Sequence, residues 1–534
     1  MKQTFLLILL CAVFSPSFAQ SKKFSFLLGS DYELPRKSDD LSFFGNDKDG
    51  IINLSLKKEE LDILRFNPKT LEQSAETKIE LTEATRNFNS EAVVDFGNTY
   101  YWLHSDWDKE TEREYLYYDV LDLINGKITK SNVKINETSR IAGSLAGRGF
   151  YSYKTVDKYT FNFNADRTKL LISYRLFPEE RNDKKNYDKI GVMVFDNQMN
   201  KLWGGEYTMP YTEAIMDNED FSVDMNGNAF LLAKVYDNEK RKEKDKETGK
   251  PGYHYEVLKF SKDSKQIIHT SIDIGDFFLR TSAMIENSNH DLLIASTYSK
   301  KANSSGTDGV FLAIMDQSGK INKYKNGYYE FPLEELKKFE SARTRRRMDK
   351  KDDYEAPNLS VRNVVTEADG SIFIALEEYF VVSTTYYDSR GGSTTYYTYY
   401  FNDILGTRIN ADGSFAWLRK IPKQQYGTNG RGTMSFKLVS DASGYYFLYL
   451  DNKKNMELAE DETPKAHVDG WGGQVVVSKI DNNGTVSKEL VFDTRDEDVK
   501  IFPSQFRRIN HNQFIGRAVL KRNKYKPLLI TVNQ

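Results

Sequence analysis

Cysteine is all but missing from this 534-residue chain: Cys11 stands alone, near the N-terminus. Beyond it there is no disulfide, no thiolate metal site and no cysteine nucleophile. Proline is scarce at 12 residues, and histidine at six (His104, His254, His269, His290, His467 and His511). No two histidines have close metal-ligand spacing, there is no HExxH, and surface or turn positions are expected for them. Charge of one sign is missing too: the net is -2, which removes any global electrostatic case for nucleic acid or anionic lipid. No apolar run is long enough to cross a bilayer. There is no GxSxG elbow. What is abundant is aromatic: 33 Tyr and 33 Phe within an aromatic share of 13%. That composition favours strands and argues against disorder.

The opening MKQTFLLILLCAVFSPSFAQ has a positive Lys2, an apolar core from Phe5 to Phe14 and a small-x-small site at Ser17-Phe18-Ala19. It predicts a signal peptide over 1–19, with Gln20 first after cleavage and a periplasmic, surface or extracellular destination. Leu10 before Cys11 is wrong for a lipoprotein signal.

The body repeats. Segments such as VFDNQMNKLWGGEYTMP (194–210), RINADGSFAWLRKIP (408–422) and SKIDNNGTVSKELVFD (478–493) are each strand, tight Asp/Asn/Gly turn, strand. A second class precedes them, as in FSVDMNGNAFLLAKVYD (221–237) and VVTEADGSIFIALEEYF (364–380). The two classes alternate, which gives four-stranded units beginning near residues 43, 93, 161, 221, 283, 361, 436 and 506. This predicts an all-β fold: a β-propeller over 20–534, with eight blades, or seven if one unit is miscounted. A solenoid, or two or three separate β domains, are the alternatives. The last unit has only three strands, and Lys23–Leu28 is available to complete it and remove an open edge.

If the strands of a unit are lettered a to d, the a–b and c–d turns are short. The long insertions, at 105–114, 178–189 and about 237–254, 331–360, 383–400 and 451–473, all fall on b–c or d–a connections. They therefore share one face, where binding or catalysis is expected.

Within that face, the candidate contacts are aromatic and basic. STTYYDSRGGSTTYYTYY (383–400) reads as a hairpin turning at Asp388–Gly392, which pairs Tyr387 with Ser393, Tyr386 with Thr394 and Thr384 with Tyr396. Rings then lie on both faces of a ribbon that is marginal alone, so the 331–360 insertion is expected to cover it, with a partner molecule as the alternative. The candidate binding residues are Tyr386, Tyr387, Tyr396, Tyr397, Tyr399, Arg390, Arg345, Arg346, Arg347 and Trp471. Residues 334–355 begin as a helix, with Leu333, Leu336 and Phe339 at i, i+3 spacing. Arg343, Arg345, Arg346 and Arg347, followed by Asp349, Asp352 and Asp353, predict a solvated, self-neutralising insertion, with an anionic partner such as a glycan or a lipopolysaccharide head group as the alternative.

No catalytic residue, metal ligand or cofactor site is assigned. The Asp/Asn/Gly runs at 46–50 and 481–484 lack the distal glutamate of a calcium loop and read as turns. Trp417, with Trp203 a looser match, is too little for a quinone enzyme.

NDILGTRINADGSFAWLRKIPKQQ (402–425) and YYFLYLDNKKN (445–455) resemble uncharacterised exported proteins of Bacteroidetes-type bacteria. The resemblance implies an envelope location and no activity. The functional expectation is a binding module for a protein or glycan partner at the cell envelope, not for nucleic acid. A propeller glycan hydrolase or lyase with a channel site is the alternative.

Overall fold

The middle strands of the repeats are apolar at nearly every position, and every residue of Leu292–Ser299 and Gly444–Asp451 is buried. Such strands need a neighbour on each edge and cover on each face. The fourth strands differ. Gln73–Glu80 and the first eight residues of Lys201–Thr212 alternate between exposed and half-buried, as an outer edge facing water does.

A computed structural model describes residues 21–81, 87–149, 152–179, 185–262, 264–351, 354–387, 392–510, 512–521 and 524–533. The expected signal peptide, Arg390 and His511 lie outside them. Among the described residues there are eight sheets of four or more strands, antiparallel but for one short parallel pair (Gln425 with His467, Tyr426 with Val468), in sequence order around the molecule. They occupy 39–80, 89–138, 159–212, 216–272, 278–330, 359–421, 436–493 and 507–532, and are numbered here as blades 1 to 8.

Eight apolar clusters fill the spaces between consecutive blades. The last of them joins Tyr32, Phe43 and Leu64 to Ile515 and Leu529, so blade 8 packs on blade 1 and the ring is closed. The strand Phe24–Leu28 completes blade 8 by pairing with its third strand, Phe24 opposite Val532 and Leu28 opposite Leu528. The fold is the eight-bladed β-propeller the repeats predict.

The a strands lie innermost, where they bond to one another across blades. Asp220 accepts from the Met284 N–H at 2.8 Å, and Thr281 Oγ1 accepts from the Val361 N–H at 3.2 Å. The polar turns are self-satisfied. Asp481 accepts from the Asn483 and Thr485 N–H groups, Asn46 from those of Lys48 and Asp49, and Gly484 takes the positive φ the turn needs. Trp417 Nε1 donates to Asn482 O of blade 7 and Trp203 Nε1 to Gly227 O of blade 4, so both tryptophans tie blades together.

No a–b or c–d connection exceeds the six residues 67–72, and every longer one lies on the opposite face. Among those that the sequence did not single out, the d–a connection 139–158 carries its own hairpin, Ser144–Gly149 with Ser152–Val156. Conversely, 105–114 is a lengthened hairpin rather than a loop, since its strands run to Asp108 and resume at Arg113. Among the described residues no helix is long and apolar enough to cross a membrane.

Candidate functional site

Strand b of blade 6, Ile372–Tyr387, is buried from Ile372 to Glu377 and then emerges. Its pairing with strand c, Ser393–Ile409, slips between Glu377 and Tyr379, opposite Ile404 and Phe401. Glu378, Asn402 and Asp403 occupy this bulge. A bulge bends a ribbon and re-aims its side chains, and here it marks where the blade ends and the projecting hairpin begins.

Two insertions close around the bulge. The first carries helix α1, Leu333–Lys337, and helix α2, Ala342–Asp349. Leu336 and the fully buried Met348 anchor both to the apolar cluster between blades 5 and 6. Ser341 caps α2, its Oγ accepting from the Thr344 N–H at 3.1 Å. The second insertion, 452–473, joins the first where Phe339 N–H donates to Glu460 O at 2.6 Å and Lys338 pairs with Glu460 at 3.0 Å.

Together they wall a pocket of about 290 Å³ at the foot of the hairpin. Its floor is the bulge; Glu340, Arg347 and Tyr354 come from the first insertion, and Thr463 and Pro464 from the second. Lys420, buried on strand d, bridges two carboxylates, Glu340 at 2.8 Å and Asp403 at 3.0 Å. Burial alone would lower its pKa, but these two carboxylates hold it raised. Burial, with the negative charge of Asp403, pushes Glu378 up to about 7, against the opposing effects of the Asn402 amide and Lys420. Burial also raises Tyr354, and Glu340 adds to it. A carboxyl group poised near neutrality beside a phenol and a lysine is suited to exchanging a proton with a ligand. At the pocket wall, Lys423 forms a fully buried pair with Glu377 at 2.9 Å, and Arg362 holds the other Glu377 oxygen at 2.9 Å.

Of the residues expected from sequence, Arg347 alone lines this pocket. Arg345 and Arg346 line a shallower hollow on another side of α2, with Lys337 and Glu460. Of the expected neutralising acids, Asp352 and Asp353 lie outside the described residues, and Asp349 pairs with Lys337. Lys337 takes Glu334 and Asp349, and Lys338 takes Glu335 and Glu460, while no carboxylate among the described residues lies within ion-pair distance of Arg343, Arg345, Arg346 or Arg347.

The hairpin register is the expected one, Tyr387 opposite Ser393, Tyr386 opposite Thr394, Thr384 opposite Tyr396 and Ser383 opposite Tyr397. The expected cover is not there. Tyr386, Tyr387, Tyr396 and Tyr397 are 51–80% exposed, and both faces of the ribbon are open over Val381 to Tyr387 and Ser393 to Tyr397. Only the base is backed: Phe380 stacks on Tyr400 at 4.6 Å, and Tyr399 and Tyr400 pair with Gly427 and Tyr426. The 331–360 insertion packs on the bulge below instead. Trp471 stands apart, exposed, with Lys521 of blade 8 over its ring at 5.9 Å.

The histidines also depart from expectation. His104 and His467 are buried, His467 bonding Thr433 Oγ1 at 3.1 Å and lowered by burial to about 4. His104 Nε2 meets Asp119 at 3.1 Å among stacked rings.

No family model matches the chain, and no curated protein matches it. Among solved structures it is similar to the polysaccharide lyase Uly1, with 10% identity and a TM-score of 0.39 over 83% of this chain and 90% of that one. It is similar to the NanB sialidase from Streptococcus pneumoniae, with 10% identity and a TM-score of 0.33 over 96% and 95%. It is also similar to the β-propeller domain of the Trilobed protease from Pyrococcus furiosus, with 12% identity and a TM-score of 0.33 over 87% and 98%. Scores this low say nothing about the site, and the propeller stands on its own sheet order and ring closure.

Proposed function

We propose that this propeller is a binding module, exported to the cell envelope, whose insertion face takes an anionic glycan. The observation that carries this is an uncovered tyrosine ribbon on the same face as a helix whose four arginines have, among the described residues, no carboxylate at ion-pair distance. Exposed aromatic surface of this extent marks a contact site. Arginine suits carboxylate and other oxyanions through its planar fork. Tyr386, Tyr387, Tyr396, Tyr397 and Tyr399, together with Arg390, would stack and bond along the chain, and Arg345, Arg346 and Arg347 would hold its charges. Trp471, away from this cluster, would extend the contact toward blade 8.

An array of acidic and neutral polysaccharides tests this. The protein should retain acidic chains. R345Q/R346Q/R347Q and Y386S/Y387S/Y396S/Y397S should each bind at least about tenfold more weakly, given what central contacts contribute. Equal retention of neutral chains, or unaltered binding by both variants, rejects it. Capture from envelope extract that survives glycosidase treatment would identify a protein partner instead.

Glycan cleavage is a second reading, favoured by the convergence of Glu340, Glu378 and Asp403 in one pocket rather than in the central channel. Chain shortening of a bound polysaccharide, lost in Glu378→Gln, would support it.

A further inference from the structure

The polar groups of the bulge pocket fall into two sets. Asp403 and Glu340 are already satisfied: both hold Lys420, and Asp403 also accepts from the Lys423 N–H at 3.1 Å. Arg347, Tyr354 and Glu378 are not. Among the described residues, Arg347 has no carboxylate at ion-pair distance and Tyr354 no hydrogen-bond partner. Glu378 has no ion-pair partner, only the Asn402 amide beside it.

The unsatisfied set offers donors. A guanidinium only donates, a phenol below its pKa donates, and a protonated carboxyl donates through its O–H. With Glu378 pushed up to about 7, a good share of it carries that proton at neutral pH. An incoming anion stabilises the protonated form further. The volume, about 290 Å³, sits at the lower end of small-ligand pockets and suits one sugar-sized group rather than a chain.

We infer that the pocket is a carboxylate-binding subsite, in which Arg347, Tyr354 and the acid form of Glu378 grip the carboxylate of a uronic-acid sugar. The inference rests on the proposed binding of an anionic glycan at this face and names the group it recognises. A carboxylate is planar, matches the guanidinium fork and is basic enough to share a proton with Glu378. A sulfate ester is a far weaker base and gains nothing from that proton.

The charged and titratable groups around Glu378 are Glu340, Arg347 and Tyr354 from the first insertion, Asp403 from strand c, and Lys420 and Lys423 from strand d and its exit. The second insertion contributes Thr463 and Pro464, which carry no charge. Because the bound state favours the protonated acid, affinity is highest below the raised pKa and falls as pH rises through it.

Calorimetric titration of the full chain with sodium glucuronate tests this, with glucose and glucose 6-sulfate as controls, at pH 6, 7 and 8 in two buffers of different protonation heat. Glucuronate should bind at least about tenfold better than either control, with proton uptake and an affinity that drops up to about tenfold per pH unit above 7. Glu378→Gln should abolish the uptake and flatten the pH profile. Arg347→Gln, at an exposed position, should cost about tenfold or more. Glucuronate affinity that ignores pH, or survives both substitutions unchanged, overturns the inference. If glucuronate fails while acidic polysaccharide is still retained by wild type and by Arg347→Gln, the subsite falls and the proposed function stands. If neither binds, both fall.

Discussion

Glu378 is a carboxyl group that its surroundings prefer uncharged. Its folded pKa of about 7 lies above the ordinary 4.5, so the native chain holds the proton more tightly than the unfolded one. That contribution to stability is fully present below about 4.5 and is lost as pH rises through about 7, a difference of roughly 3 kcal/mol. Urea titrations at pH 5 and 8 should therefore show a loss in the wild type that is smaller by about that amount in Glu378→Gln. An identical pH slope in the two proteins would show that Glu378 ionises freely. His467 works at the other end. Lowered to about 4, it stays neutral in the fold but charges at about 6.5 when unfolded, so its contribution is complete above 6.5 and lost as pH falls toward 4. The pair Lys423–Glu377 carries a different cost. Both side chains are fully buried, so Lys423→Met strands part of the Glu377 charge and should destabilise by about 3 kcal/mol, read from the denaturant midpoint.

At the scale of elements, the hairpin and the helical insertion have opposite bearings on stability. The tyrosine tips touch little, so the four-serine variant should melt within about 1–2 kcal/mol of wild type, since exposed substitutions usually cost under about 0.5 kcal/mol each. A large loss would mean the ribbon packs on something. Helix α2 is short and held by its cap and by Met348. Ser341→Ala should cost about 1 kcal/mol and loosen Arg347 over the pocket, visible as faster hydrogen exchange over 342–349. The register of the hairpin was legible because a five-residue turn leaves one pairing of the STTYY arms. Its lack of cover was not, because nothing local says how far an extended ribbon rises above its blade. Glu377 and Glu378 did carry a signal: two adjacent acids interrupt an otherwise apolar strand. That signal says a site is near but not which groups surround it.

For the molecule as a whole, closure depends on one short strand. Residues Phe24–Leu28 cover the free edge of blade 8, and Phe24 and Phe26 pack into the cluster between blades 7 and 8. A chain starting at Gly29 would expose that edge, so it should associate on gel filtration and lose a single cooperative unfolding transition. Monomeric, cooperative behaviour would show that the ring does not need its clasp.

The blade count, the closing strand and the sidedness of the insertions all follow from the sequence, because each depends on a local period: apolar runs, polar turns and their spacing. The pocket does not. Glu340, Glu378, Asp403 and Lys420 come from four stretches up to about eighty residues apart, and only the ring brings them together. The same holds for the arginines of α2. Their composition suggested a self-neutralising stretch, but among the described residues the nearby acids Glu334, Glu335 and Asp349 pair with Lys337 and Lys338 rather than with the guanidiniums, because the partner of a surface charge is decided by where neighbouring insertions come to rest.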